Sequence, residues 1–342
     1  MPTIIITKDF LDSLFIESDL NENNSDLFDF LHKEIFDFTL ICNLSSTEDY
    51  AKALIDNPLW EILLDKFKNI VFKINLIEEI EEDGFYKKLD EQNIFLLSIN
   101  ENKCETYSSQ RGYIFISSNN ISKSWCKIRA IRKNGLYKVT NEASFPNDFR
   151  FDCWSKIENF TLPLTSIIIF DKYIFCNKSN QKTSDNLLKM LNYLCFNQEL
   201  LKPISLTIIS EFERDNQITD AFELVDTYLK SHSINNVDLN IIRHNKSQYP
   251  ADFEGLHYRV IFTNNLKIKC DDSFNFFKPN GKINNDSDIN VTFNFNRHQK
   301  TFFDKEIKHL KRYVGKINNF PNVDENIDKV YYHKHKNNYL FK

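Results

Sequence analysis

At 342 residues, with 42% hydrophobic and 27% charged side chains, the chain holds enough apolar material for two domains and too much for global disorder. Only six glycines are present and no G-x-G-x-x-G or G-x-x-x-x-G-K-[ST] occurs, which argues against a glycine-rich nucleotide loop. The net charge of −5 conceals an asymmetry: residues 1–100 hold 8 Lys/Arg against 21 Asp/Glu, whereas 297–342 hold 11 against 5.

The opening "MPTIIITKDF" has no basic start and too short an apolar run for a signal peptide. "TIIIT" reads as a short buried strand, with Asp9 as a cap for a helix over "FLDSLFI". "LFDFLHKEI" has helical period and "DFTLICNL" is a strand. Ser46 with Asp49 three residues on makes a capping box for the helix that follows. "NIVFKINLI" and "NIFLLSI" are strands either side of a helix over "GFYKKLDEQ". Strands alternating with helices predict an α/β layer with parallel pairing.

From 101 to 160 the pattern changes. "GYIFISS", "CKIRAIRK" and "GLYKVT" read as short antiparallel strands, and "EASFPNDFRFDCW" is irregular. The domain junction is placed at 150–162. Beyond it, "TSIIIFDKYIF", "ISLTIIS" and "VDLNIIRH" are strands separated by helices over 181–195 and 216–231. "LHYRVIFTNN" and "LKIKC" form a hairpin about Asn264-Asn265, residues that tolerate positive φ. "INVTFNF" is a last strand, followed by a charged helix and a weakly structured tail. The expected division is an acidic α/β domain over 1–160, a mixed-sheet domain over 161–300 and a basic helix and tail over 301–342.

The seven cysteines contain no C-x-x-C pair, and their odd number suits reduced, mostly buried thiols of a cytoplasmic protein. No apolar stretch nears the ~18 residues of a membrane span. No cofactor and no metal centre are expected. His333 and His335 could hold a transition metal, but lack Cys or carboxylate neighbours, so a solvated tail is the simpler reading. Asp9, Asp12, Glu17 and Asp19 follow the first strand as acidic nuclease residues do, yet also suit an ordinary acidic helix. Phe293, Phe295, Phe302 and Phe303, near Arg297, Lys300 and Lys305, read as core before they read as base-stacking residues.

Several segments of the second half resemble one family. These are Asp171-Lys172-Tyr173-Ile174; Gln181 and Asn186 on the next helix; His257-Tyr258-Arg259; Asn265-Leu266-Lys267-Ile268; and Ser273-Phe274-Asn275-Phe276-Phe277. Their order is similar to the phospholipase D-like domain found at the C-terminus of MIT-domain proteins and in stand-alone bacterial relatives, over about residues 165–280. The resemblance implies a two-domain α/β protein whose C-terminal domain is a phospholipase D-like mixed sheet flanked by helices. Lys172 replaces the family's proline, and Cys270, Asp271, Asp272 and Ser273 stand in place of the glycines of its last turn.

Phospholipase D-type catalysis uses H-x-K-x4-D, in which His attacks phosphorus and Lys holds phosphate oxygens. The segment here reads His257, Arg259, Asn264, an H-x-R-x4-N. Arg can hold phosphate bidentately, whereas Asn264 cannot be the anionic partner of an imidazole. Of the eight histidines, four (His244, His257, His298 and His309) have Lys or Arg two residues on, so spacing alone decides little. The first half has one histidine, His32, which reads as a surface residue, so catalysis would need a homodimer.

The expected function is phosphate recognition by a homodimer, of nucleic acid in a bacterial defence or mobile-element setting. The resemblance implies Arg259, Lys267, Ser273 and Asn275 as phosphate ligands, with the basic tail adding non-specific attraction. The alternatives are a metal-independent phosphodiesterase or nuclease using His257 of each subunit of a homodimer, with Arg259 and Asn264, and a non-catalytic module whose acidic head docks a basic protein partner.

Overall fold

A computed structural model of the chain describes residues 2–17, 22–87, 89, 91–118, 123–175, 180–195, 200–212, 217–234, 236–244, 259–319, 330–332 and 338–341. The chain divides into two compact units, residues 1–129 with 294–301, and 130–293 with 302–342. The division falls inside α-helices at 129/130 and 301/302 and after a strand at 293/294, rather than in the expected junction at 150–162. It also returns most of the basic tail to the second unit instead of leaving it as an appendage.

The first unit follows the alternation in its sequence. Its elements are β1 (Thr3–Ile6), α1 (Lys8–Glu17), α2 (Glu22–Asp29) with a π-helical turn over Phe30–Glu34, β2 (Phe38–Cys42), α3 (Thr47–Asp56), α4 (Leu59–Leu64) and β3 (Phe67–Phe72). Then come α5 (Leu76–Glu81), α6 (Asp83–Tyr86), β4 (Asn93–Leu97), α7 (Glu101–Arg111), β5 (Ile114–Ser117) and α8 (Lys123–Lys133), which runs across the division. The sheet order is β3-β2-β1-β4-β5, all parallel. Strands buried on both faces explain runs such as Ile4, Ile5 and Ile6, none of them exposed. The Ser46 hydroxyl accepts from Asp49 N at 3.2 Å, so the predicted cap forms. Asp9 lies in the first turn of α1 rather than at its cap, because the helix begins one residue earlier.

Two expectations for 101–133 are corrected. "CKIRAIRK" is part of helix α8, whose Trp125, Ile128 and Ile131 are buried at a spacing of three. "GYIFISS" does contain a strand, β5, but it is parallel to β4 because α7 makes the crossover between them. Gly112 ends α7 at φ 71°, and its N–H bonds Ser108 O at 3.0 Å.

The second unit contains β6 (Leu136–Val139), a 3-10 helix over Trp154–Asn159, β7 (Ser166–Asp171), α9 (Asn180–Thr183), a π-helical turn over Ser184–Leu188, α10 (Lys189–Cys195), β8 (Ile204–Ser210), α11 (Gln217–Ser231) and β9 (Val237–Arg243). It continues with β10 (Arg259–Thr263), β11 (Leu266–Cys270), β12 (Ser287–Phe293), α12 (Arg297–Asn319), β13 (Val330–Tyr332) and a 3-10 turn over Tyr339–Phe341. The eight-stranded sheet has the order β13-β9-β8-β7-β10-β11-β12-β6. Strands β7, β8 and β9 are parallel; β10, β11, β12 and β6 add on antiparallel, and β13 closes the far side against β9. The tail therefore supplies a strand, where the sequence suggested little structure.

One face of this sheet is covered by α12. Phe303, Ile307, Leu310, Tyr313 and Val314 pack with Ile168, Phe170, Ile209, Ile242, Val260 and Phe262, and Phe341 joins them. Asn338 fastens that last segment: its Nδ2 donates to Ile167 O and Ser205 O, both at 3.0 Å. At the opposite end of the sheet from β13, Val291 N donates to Gly135 O at 2.7 Å. A Cβ at Gly135 would lie 2.0 Å from Val291 O, so only glycine admits this approach. The β10–β11 hairpin forms as expected but without positive φ at Asn264 or Asn265. Instead Thr263 Oγ1 accepts from Asn265 N at 3.2 Å and Leu266 N at 2.9 Å.

Candidate functional site: the rim of the second sheet

The carboxyl ends of β7, β8 and β9 lie at one end of the sheet, and β10 starts there because it runs the other way. The register sets Arg259 opposite Asp171 and Ser210 opposite Arg243. Beyond the strand ends the ladder continues through Glu211 N to Lys172 O at 3.2 Å and His244 N to Ser210 O at 2.6 Å. Lys172, Glu211, His244, Asp171 and Arg259 are thereby gathered on one rim.

Asp171 is fully buried, and its carboxylate is shared among three donors. Oδ1 accepts from Tyr173 N at 2.9 Å; Oδ2 accepts from Ser273 Oγ and Phe274 N, both at 2.7 Å. Burial pushes its pKa above the ordinary value, against the pull of those three donors and of the Arg259 charge. The Asn275 amide donates to Tyr173 O at 2.9 Å and to Ser273 Oγ at 3.0 Å. From the helix side, Asn186 grips the backbone of Phe277 in both directions, accepting from its N and donating to its O, each at 2.8 Å. Gln181 donates to Asp185 at 2.9 Å. The strand end, the helix and the 273–277 turn are thus tied into one assembly.

Arg259 is held by the turn. Its Nη1 donates to Asp271 O and lies 3.8 Å from Asp272 Oδ1. Burial works to raise the Asp272 carboxyl, but it ends below its ordinary value. The Ser273 amide, the Asn285 side chain and the charges of Arg259 and Lys182 favour its anion. Tyr173 is 41% exposed; the Arg259 guanidinium lies 5.9 Å from its ring centroid and Lys172 Nζ 5.1 Å. Lys172 Nζ is also 3.2 Å from Glu211 Oε1, which overcomes burial and raises its pKa. Buried His244 places Nδ1 3.1 Å from Tyr313 Oη and Nε2 3.8 Å from Glu211 Oε1.

A second charged feature lies on α12. Lys305, Lys308, Lys311 and Arg312 are exposed on the side away from its buried residues. Among the described residues no ion pair engages any of them. Pleating separates this stripe from Arg259: Val260 and Phe170 face α12, so their neighbours Arg259 and Asp171 point to the other face.

Of the predicted site residues, the structure brings together Arg259, Ser273 and Asn275, along with Asp171 and Asn186, while Gln181 bonds Asp185 on its own helical segment. It does not bring Asn264 or Lys267 to them. Asn264 is fully buried at the opposite end of β10, where its Oδ1 accepts from Thr165 N at 3.0 Å; it is a hairpin residue, not a partner for an imidazole. Lys267 pairs with Glu306 of α12 at 2.6 Å and is a strand-to-helix tie. Ser273 gives its hydroxyl to Asp171, and Asn275 gives its amide N–H groups to Tyr173 O and Ser273 Oγ. His257 lies outside the described residues, as do Asp19, His333 and His335. His32 is exposed on the π-helical turn, as expected of a surface residue. Asp12 pairs with Lys8 at 2.6 Å and accepts from Asn57 at 2.9 Å, which suits the ordinary acidic helix. Phe293, Phe295 and Phe303 are core; Phe302 is 62% exposed. Among the described residues, no group of three or more His, Cys, Asp or Glu is placed to hold a metal ion, and no helix is long and apolar enough to cross a membrane.

Sequence reasoning passed over Lys172, Tyr173 and Glu211 as site residues. The signal available was positional: two of them directly follow a fully buried parallel strand, the place where α/β sheets present ligand-binding groups. No protein-family model matches the chain, and no curated protein matches it.

Proposed function

We propose that this chain recognises the phosphate backbone of nucleic acid without cleaving it, through a C-terminal unit of phospholipase D-like build. The α12 stripe carries the reading. Lys305, Lys308, Lys311 and Arg312 present four charges on one exposed face, and no ion pair among the described residues neutralises them. Arg259 on the rim offers a further phosphate contact, restrained by Asp272. The convergence of Asp171, Asn186, Arg259, Ser273 and Asn275 supports the phospholipase D-like build, since these residues carried the resemblance. Binding is favoured over cleavage because Asn264, which fills the acidic slot of the catalytic pattern, sits at the far end of β10 from Arg259.

The test is binding of a labelled oligonucleotide across a salt series. Four phosphate contacts give a slope of log K against log salt of about −3 to −4. The double variant Lys305→Glu/Lys308→Glu should flatten that slope by about two while far-UV circular dichroism stays unchanged. Binding that ignores salt, or that survives the double variant intact, overturns the reading.

A further inference from the structure

The rim carries a feature that backbone recognition alone does not use: an exposed tyrosine with two cations over its ring. Tyr173, 41% exposed, stands just past β7, with Lys172 Nζ 5.1 Å and the Arg259 guanidinium 5.9 Å from its ring centroid. Its main chain is fixed at both ends: the N–H donates to Asp171 Oδ1 at 2.9 Å, and the carbonyl accepts from Asn275 Nδ2 at 2.9 Å. The cations are fixed as well. Glu211 holds Lys172 at 3.2 Å, and Asp271 O and Asp272 hold Arg259. A ring so mounted loses little freedom when something stacks on it.

We propose that this rim binds an unpaired nucleotide of a nucleic-acid strand, with a base stacked on Tyr173 and the adjoining phosphates taken by Lys172 and Arg259. The assignment rests on the nucleic-acid reading above and narrows it to single-stranded ligand at this site. The physical case has two parts. Every base has a π-face, so one aromatic platform serves without sequence preference, and flanking cations match the phosphates on either side of a stacked base. A duplex keeps its bases stacked on one another and cannot offer one to Tyr173 without unpairing; it is left to the charge stripe of α12.

The experiment uses the full chain and fluorescence anisotropy with a labelled single strand and with the duplex of the same sequence. The single strand should bind more tightly. Tyr173→Ala should weaken single-strand binding by about five- to 150-fold, the range of one base–aromatic stack, and leave duplex binding unchanged. Tyr173→Phe, which keeps the ring, should bind like the parent and shows that the site still folds. Equal affinity for both forms, or a Tyr173→Ala variant indistinguishable from the parent, overturns the assignment. If Lys305→Glu/Lys308→Glu abolishes binding while Tyr173→Ala does nothing, the broader reading stands and only this one falls. If neither form binds at low salt, both fall.

Discussion

Ser273 donates its hydroxyl to the buried carboxylate of Asp171 at 2.7 Å, across 102 positions of sequence. The bond fastens the turn after β11 to the end of β7, and with it the segment that restrains Arg259. Asp171→Ala removes the acceptor of three donors at once, two of them backbone amides. Buried donors left without partners cost about 1–3 kcal/mol each, so a loss on the order of 3–5 kcal/mol is expected from urea midpoints. Ser273→Ala, which removes one donor to the carboxylate and one acceptor for Asn275, should cost less, about 1–2 kcal/mol. Equal effects from the two variants would show that the carboxylate is not the common anchor.

Two carboxylates of this assembly should respond to pH with opposite sign. Asp171 is raised when folded, so its contribution to stability is full below the unfolded value of about 4 and is lost as pH rises through its folded value. Asp272 is lowered, so its contribution is present above about 4 and is lost as pH falls through its folded value. In urea melts taken from acid to neutral pH, the penalty of Asp171→Asn should shrink as pH rises. That of Asp272→Asn should grow.

Asp272 also competes with any phosphate for Arg259, from 3.8 Å away. Asp272→Asn should therefore tighten oligonucleotide binding severalfold, and Arg259→Ala should weaken it. A fall in affinity on Asp272→Asn, with the fold intact by circular dichroism, would place the phosphate elsewhere.

Gly135→Ala should destabilise the second unit by about 1–3 kcal/mol, because the added methyl would meet the Val291 carbonyl at 2.0 Å. Differential scanning calorimetry reads the effect directly. Gly84→Ala, where a Cβ meets nothing within 4 Å, is the matched control.

Much of the fold was legible because local rules agreed with one another. Ile4–Ile6 could only be a strand buried on both sides, and Ser46 announced a helix three residues before Asp49 closed the cap. "CKIRAIRK" misled because Ile128 and Ile131 sit among charges that mimic alternation; starting the window at Trp125 restores the helical spacing. The site was half legible. Spacing placed Asn264 five residues after Arg259 without asking where a strand would carry it. At about 3.3 Å per residue it lies roughly 16 Å away, at the other end of the sheet. The platform residues Lys172 and Tyr173 were invisible as a site because exposure and mutual placement belong to the tertiary fold. Asp271 and Asp272 stand where the resembled sequences have glycines, but the sequence does not show that one lends Arg259 a carbonyl and the other a charge.

The interleaving of the two units has a consequence for synthesis. Residues 294–301 belong to the first unit, where Phe295 is buried and Asn296 and Lys300 bond Glu34 and Gln92. A ribosome delivers all of 130–293 before those residues emerge. The first sheet must therefore wait, incompletely covered, while seven strands of the second are being made. The newborn chain carries that uncovered apolar surface through the interval, the period in which a chaperone that shields it has most to do.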